Sequence, residues 1–387
     1  MSDSLIDRVR ERLAAESSPL RPNVVAAAIR AESGGVLGDT EVLSSLRTLE
    51  TELTGAGVLE PLLRAEGATD VLVTAPDEVW LDSGNGLQRS GIRFADEAAV
   101  RRLAQRLAVA AGRRLDEAQP WVDGHLDGVG SGRFAVRLHA VLPPVAVGGT
   151  CLSLRVLRPA AENLEALRAS GSIPAEAGKL LDDIIAARLA FLVSGGTGAG
   201  KTTLLAAILG AVAGHERIIC VEDAPELSPH HPHVVRLIAR SANVEGAGEI
   251  TLRQLVRQAL RMRPDRIVVG EVRGGEVVDL LAALNTGHDG GAGTVHANSP
   301  AQVPARMEAL AALGGLDRAA LHSQLAAAVQ VVVHVSRGPC GRRVSEIAIL
   351  RQDRGGVVCV APVWHAERGL QPGVEALQRI IAERSGR

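Results

Sequence analysis

The sequence predicts an α/β protein, with a mainly parallel sheet in the C-terminal part, a smaller α/β domain before it and a helical extension at the start. Three observations predict it. After residue 175, short β-branched runs alternate with helical patterns, the signature of strands buried on both faces. One of those runs leads straight into a glycine-rich turn and a helix-prone segment. The stretch from 56 to 158 has strand and helix signals of its own, closed by a segment containing Pro and Gly.

In chain order, residues 1–55 read as a polar helical extension, broken at Ser33-Gly34-Gly35 and Gly55-Ala56-Gly57. Residues 56–158 read as the small α/β domain. Val71 to Val73 and Val79 to Leu81 are short strands around the turn Ala75-Pro76-Asp77-Glu78. Asp96 opens a helix that ends at Gly112, with Val100, Leu103, Leu107 and Ala111 on one face. Phe134 to Leu142 and Cys151 to Leu157 are two more strands, broken by Pro143-Pro144. Residues 159–174 read as a linker with one short helix. In residues 175–387 the apolar runs are Phe191 to Val193, Ile218 to Val221, Ile267 to Val269 and Val331 to Val335. Thr251-x-x-Gln254 is a capping-box pattern ahead of an apolar helical face that Pro264 terminates.

Composition narrows the function classes. The chain has 387 residues, 46% hydrophobic and 22% charged, enough for packed cores. A net charge of -2 and 2% aromatics argue against direct nucleic-acid binding through a basic surface or stacking platforms. Leu204 to Gly214 is too short to span a bilayer, which takes about 20 residues. The first ten residues lack an apolar core, so no signal peptide is expected and the chain is placed in the cytoplasm. Its four cysteines form no Cys-x-x-Cys pair and read as small buried hydrophobes. Lysine occurs only at Lys179 and Lys201; the other 40 basic residues of 42 are arginine. GC-rich codon bias explains that, and it makes a retained lysine informative.

Gly195-Gly196-Thr197-Gly198-Ala199-Gly200-Lys201-Thr202, followed by Thr203, fits G-x-x-x-x-G-K-[ST] between a strand and a helix. Such glycines let main-chain amides converge on phosphate oxygens, and the helix start adds positive potential. Lys201 reaches the β- and γ-phosphates and the Thr202 hydroxyl ligates Mg²⁺, so ATP and Mg²⁺ are the expected cofactors. Glu271 ends the run Ile267-Val268-Val269-Gly270. An acid at the C-terminal edge of a strand can orient water and hold the Mg²⁺ shell; a purely structural acid is the alternative.

The order of these motifs resembles the type II/type IV secretion ATPases. Arg217 to Leu227, with Glu222, Asp223 and Glu226, is similar to their acidic box. Arg263 to Arg273 is similar to their Walker B region, and Thr286 to Asn298, with His288 and His296, to their His box. Asp116 to Pro120 and Arg137 to Pro144 ahead of Leu152 to Arg155 resemble the tight-adherence (Tad/CpaF-type) branch, and the absence of Cys-x-x-Cys pairs favours that or a conjugation-like branch.

The resemblance implies a RecA-like P-loop NTPase domain in a homo-hexameric ring. It implies catalytic roles for Glu271, Glu222 and Lys201, charge from Arg137 and Arg155 on the phosphates, and a γ-phosphate sensor at His296. It also implies that ATP hydrolysis powers pilin assembly or export through an inner-membrane platform protein, with the chain peripheral to that membrane. The alternatives are a DNA-transfer motor and a nucleotide-gated scaffold that does not hydrolyse. Within the acidic box Asp223 could instead cap a helix or turn and Glu226 be surface charge; Arg137 and Arg155 could belong to salt bridges, and His296 to the core. His230-His231-Pro232-His233 reads as a solvated loop more readily than as a metal site.

Overall fold

The computed structural model describes residues 8, 9, 12, 22–33, 38, 55–84, 86–130, 134–158, 163–243, 245–338 and 341–385. The chain divides into two compact units, Met1–Arg158 and Pro159–Arg387.

Of the expected N-terminal extension, helix α1 (Pro22–Glu32) is described; most of the rest lies outside the described residues. The first unit is then built on a six-stranded antiparallel sheet. Its strands are β1 (Asp70–Ala75), β2 (Glu78–Asp82), β3 (Leu87–Arg89), β4 (Trp121–Leu126), β5 (Ala135–Val141) and β6 (Cys151–Leu157), in the order β3-β2-β1-β6-β5-β4. A short helix, α2 (Glu60–Arg64), precedes the sheet. The longer α3 (Glu97–Ala110) starts where Asp96 Oδ1 accepts from the Ala99 amide at 2.7 Å. Its Val100, Leu103, Ala104, Leu107 and Ala108 share one core with the inward residues of the strands. β4 shows strict alternation, with Val122, Gly124 and Leu126 buried and Trp121, Asp123 and His125 exposed. Its two polar, exposed positions hide it from an apolar-run reading.

In the second unit, α4 (Leu164–Ala169) begins at an Asn163 cap. Residues 159–174, expected as a linker, thus contain a helix whose Leu164 and Leu167 join the core together with Ile173. After α5 (Ala175–Ala186) come β7 (Phe191–Gly195), α6 (Lys201–Gly210), β8 (Ile218–Glu222), β9 (Val234–Ile238), α7 (Leu252–Ala259), β10 (Arg266–Val272), α8 (Glu276–Leu284) and β11 (Ala292–His296). The chain ends with α9 (Val303–Leu313), α10 (Arg318–Ala328), β12 (Val331–Gly338), β13 (Gly341–Gln352), β14 (Val358–His365), β15 (Gly369–Leu370) and α11 (Val374–Ser385).

The sheet has nine strands in the order β15-β14-β13-β12-β7-β11-β10-β8-β9. From β12 to β9 neighbours are parallel; β13 to β15 extend it antiparallel. The alternation of faces explains the continuous apolar runs. Phe191, Val193, Ile218, Cys220 and Val268 face one core with α5 and α6. Leu192, Ile219, Val221, Ile267 and Val269 face another with α7 to α10. In the central strands both faces are covered, so both are mostly apolar. The capping box forms, with Thr251 N donating to Gln254 Oε1 (2.8 Å) and Gln254 N to Thr251 Oγ1 (3.3 Å). Among the described residues no helix is long and apolar enough to cross a membrane.

Candidate functional site

The C-terminal ends of β7, β11, β10 and β8 lie side by side. At the end of β7, a Cβ on Gly195 would come within 2.5 Å of Val335 O on β12, so only glycine allows the strands this approach. Gly198 (φ 68°) and Gly200 (φ 99°) take left-handed conformations that reverse the chain into α6. Space opens above Gly196 and Gly198, where an added Cβ would meet nothing within 4 Å. The first i→i−4 bond of α6 runs from Leu204 N to Gly200 O (2.9 Å), so the amides of 201–203 face out of the helix start. Together these groups suit an anion. Thr197 is exposed, Ala199 buried, and Thr202 and Thr203 half-buried on the first turn.

Lys201 is buried and folds back over the loop, its Nζ donating to Gly195 O (3.1 Å) and Gly196 O (3.0 Å). Burial lowers its pKa; Glu271 and Glu226 oppose that and Arg273 adds to it. Behind the loop, Ser194 Oγ and His334 Nδ1 share a buried hydrogen bond of 2.9 Å across β7 and β12. Burial, and then the Lys201 charge, push the His334 pKa down, keeping the imidazole neutral.

Glu271 stands near the end of β10, partly exposed, and accepts from Arg273 Nη2 at 2.5 Å. The ladder between β10 and β11 slips between Val269 and Val272. There the Thr294 hydroxyl donates to Gly270 O at 2.7 Å. Such irregularities re-aim side chains. Gly270 also packs on Glu222, whose Cγ would sit 2.8 Å from an added Cβ. Glu222 is buried. Its Oε1 accepts from the amides of Glu226 (3.1 Å) and Leu227 (2.7 Å), and its Oε2 lies 3.5 Å from Arg236 Nε without a hydrogen bond. Burial raises its pKa to about 7, against the lowering by the Leu227 amide and Arg236. Glu222 therefore caps the turn that carries Asp223 and Glu226. His296 pairs in register with Gly195. With Ala297, Asn298, Gln302 and Arg306 it lines a pocket of 380 Å³. His288 Nδ1 lies 3.0 Å from Ala283 O at the end of α8, outside this row.

Arg137 and Arg155 belong to the first unit, directly opposite each other on β5 and β6. Arg137 grips Asp123 with both nitrogens, Nε–Oδ1 at 3.0 Å and Nη2–Oδ2 at 2.5 Å. Burial would raise the Asp123 pKa, but the Arg137 bond and charge outweigh it and leave the carboxyl below its ordinary value.

Sequence reasoning missed Ser194 and His334, which carry no motif, and left Glu226 undecided although it lies within electrostatic reach of Lys201. Thr294 was legible as part of the His-box segment. The histidine tract is tied internally: His231 Nε2 lies 3.1 Å from Ala213 O, and His233 N donates to His231 Nδ1 (3.1 Å). Among the described residues no group of three or more His, Cys, Asp or Glu could hold a metal ion. Of the cysteines expected to be buried, Cys220 is; Cys151 is half-buried, Cys359 is exposed on β14, and Cys340 lies outside the described residues. An edge region of β14 leaves Cys359 facing solvent.

Fold and site together define a RecA-like α/β protein with a glycine-rich strand–turn–helix at the C-terminal edge of its sheet. The chain belongs to the family described as type II/IV secretion system protein, matched over residues 52–367. A "Putative conjugal transfer protein" of Mycobacterium tuberculosis is 74% identical over 351 residues, covering 90% of this chain and 99% of the relative. The type IV secretion system protein PtlH of Bordetella pertussis is 33% identical over 267 residues, covering 62% and 76%. The X-ray structure of the Legionella pneumophila ATPase DotB has the same fold, with a TM-score of 0.52 and 20% identity over 75% of this chain and 78% of that one.

Proposed function

We propose that the chain is a cytoplasmic ATPase that hydrolyses Mg·ATP to ADP and phosphate and couples turnover to transport or fibre assembly at the inner membrane face. The observation that carries this reading is the juxtaposition of a buried Lys201, folded on its own loop, with the Glu271 carboxylate two strands away in the same sheet.

The residues fit the cofactor. Space above Gly196 and Gly198 and the outward amides of 201–203 accommodate a phosphate chain. The Thr202 hydroxyl and Glu271, the latter directly or through water, would hold Mg²⁺, which when bound withdraws charge from the transferring phosphoryl group. Lys201 exchanges its two carbonyl partners for phosphate oxygens. Glu271 orients the attacking water and accepts its proton. Glu222 supports that acid through the Gly270 main chain. Arg137 and Arg155 supply further positive charge to the phosphates, and His296 senses loss of the γ-phosphate. The working form is a homo-hexamer acting on a membrane platform partner, of the Tad pilus kind.

A second reading, a conjugative DNA-transfer motor, is favoured by the name of the Mycobacterium tuberculosis relative. One set of assays separates the readings. Lys201→Ala abolishes nucleotide binding and turnover. Glu271→Gln keeps binding while turnover falls by roughly 10²–10⁴-fold, the worth of a general base. Equal turnover in wild type and Glu271→Gln removes Glu271 from the mechanism, and tight binding without wild-type turnover leaves a nucleotide-gated scaffold. Stimulation by single-stranded DNA selects the transfer motor.

A further inference from the structure

The β12–β13 hairpin reaches the phosphate loop and brings arginine with it. Arg337 on β12 pairs in register with Arg342 on β13. The contact with the loop is direct. A Cβ built on Gly200 would lie 3.3 Å from Arg342 Cδ and 3.8 Å from its Cβ, so the alkyl stem runs alongside Gly200. Gly200 caps α6, and Lys201 is the next residue. The guanidinium starts one bond beyond Cδ, which puts its charge beside the loop. Arg342 is exposed, so that charge is open to a ligand. Strand order fixes the side: β12 and β13 flank β7 on one side, β11 and β10 on the other. Arg342 and Glu271 therefore approach the loop from opposite sides.

We infer that Arg342 is a phosphate ligand in cis, holding the phosphate chain of a nucleoside di- or triphosphate seated on residues 195–202, on the side away from Glu271. The inference rests on the nucleotide-site reading above. A grip on that side acts on phosphates that survive hydrolysis, so it strengthens ADP and ATP binding alike and slows product release. The planar guanidinium matches phosphate oxygens in a way that an ammonium cannot.

The test is titration of a fluorescent ADP and of a non-hydrolysable ATP analogue into the full chain. Arg342→Gln keeps a stem on Gly200 and removes the charge. It weakens both nucleotides by about tenfold, as for one lost charge-assisted contact. Arg342→Lys lies between. Arg343→Gln, one residue along and on the other face of the strand, leaves both affinities unchanged. The apo melting temperature of Arg342→Gln is no lower than wild type, since the side chain is exposed and its stem is kept. Wild-type affinity in Arg342→Gln overturns the inference alone, and so does a loss accompanied by a lower apo melting temperature. A wild type that binds neither nucleotide overturns the site reading and this inference with it.

Discussion

Arg266 donates to both carboxylate oxygens of Glu216, Nε to Oε2 at 2.9 Å and Nη2 to Oε1 at 3.1 Å, with both side chains buried. Nη1 also donates to Gly290 O and Nη2 to Ile185 O, both at 3.2 Å. Arg266 is the first residue of β10, the strand that ends near Glu271. The strand is thus pinned at one end by a satisfied ion pair and presents its acid at the other. Arg188 Nη1 also lies 3.2 Å from Glu216 Oε2, so Glu216 keeps a partner if Arg266 is lost, whereas loss of Glu216 strands the buried Arg266 charge. Glu216→Ala is expected to cost about 3–5 kcal/mol and Arg266→Ala somewhat less, measured by denaturant unfolding. Replacing both with apolar residues of similar volume recovers most of it. Single-variant losses below about 1 kcal/mol, the range of an exposed pair, would contradict that assignment.

Glu222 makes stability pH-dependent in a defined direction. Its carboxyl is raised from 4.5 to about 7 in the fold by burial. Between those values the native chain holds a proton that the unfolded chain has lost. The contribution is therefore intact below 4.5 and is lost as pH rises through about 7, with a slope of up to about 1.4 kcal/mol per pH unit. Glu222→Gln cannot ionise. Relative to wild type it gains stability from pH 5 to pH 8, read from melting curves at each pH. A difference that stays flat across this range would show that the carboxyl is not raised.

Thr294 offers a way to disturb Glu271 without touching it. Thr294→Val keeps the shape but leaves Gly270 O, buried beside Glu222, without its hydroxyl donor. The expected loss is about 1–3 kcal/mol of stability. Nucleotide affinity is unchanged while turnover falls about tenfold, equivalent to about 1.4 kcal/mol in the barrier. Stopped-flow phosphate release alongside nucleotide titration checks it; affinity and turnover falling together would count against a role in aiming Glu271.

Much of this was legible in the sequence, and the reasons differ by element. The strands leading to Gly195, Glu222 and Glu271 announced themselves because burial on both faces leaves only apolar positions. The lysine and glycines of the loop carried a spacing that phosphate chemistry demands. β4 was missed because half its positions face solvent. β13 begins with exposed Arg342 and Arg343 before its apolar stretch, and a one-dimensional scan takes that start for a loop. The Ser194–His334 bond and the turn bound by Glu222 were illegible, since each joins positions whose proximity only the sheet creates.

The chain visits the working edge in one order and assembles it in another. Along the sheet the row reads Gly195, His296, Glu271, Glu222, so β11, made after the other three strands, inserts between two of them. During synthesis the edge stays unfinished until His296 has left the ribosome. A chain ending before that strand carries Lys201, Glu222 and Glu271 and still lacks the strand that joins β7 to β10.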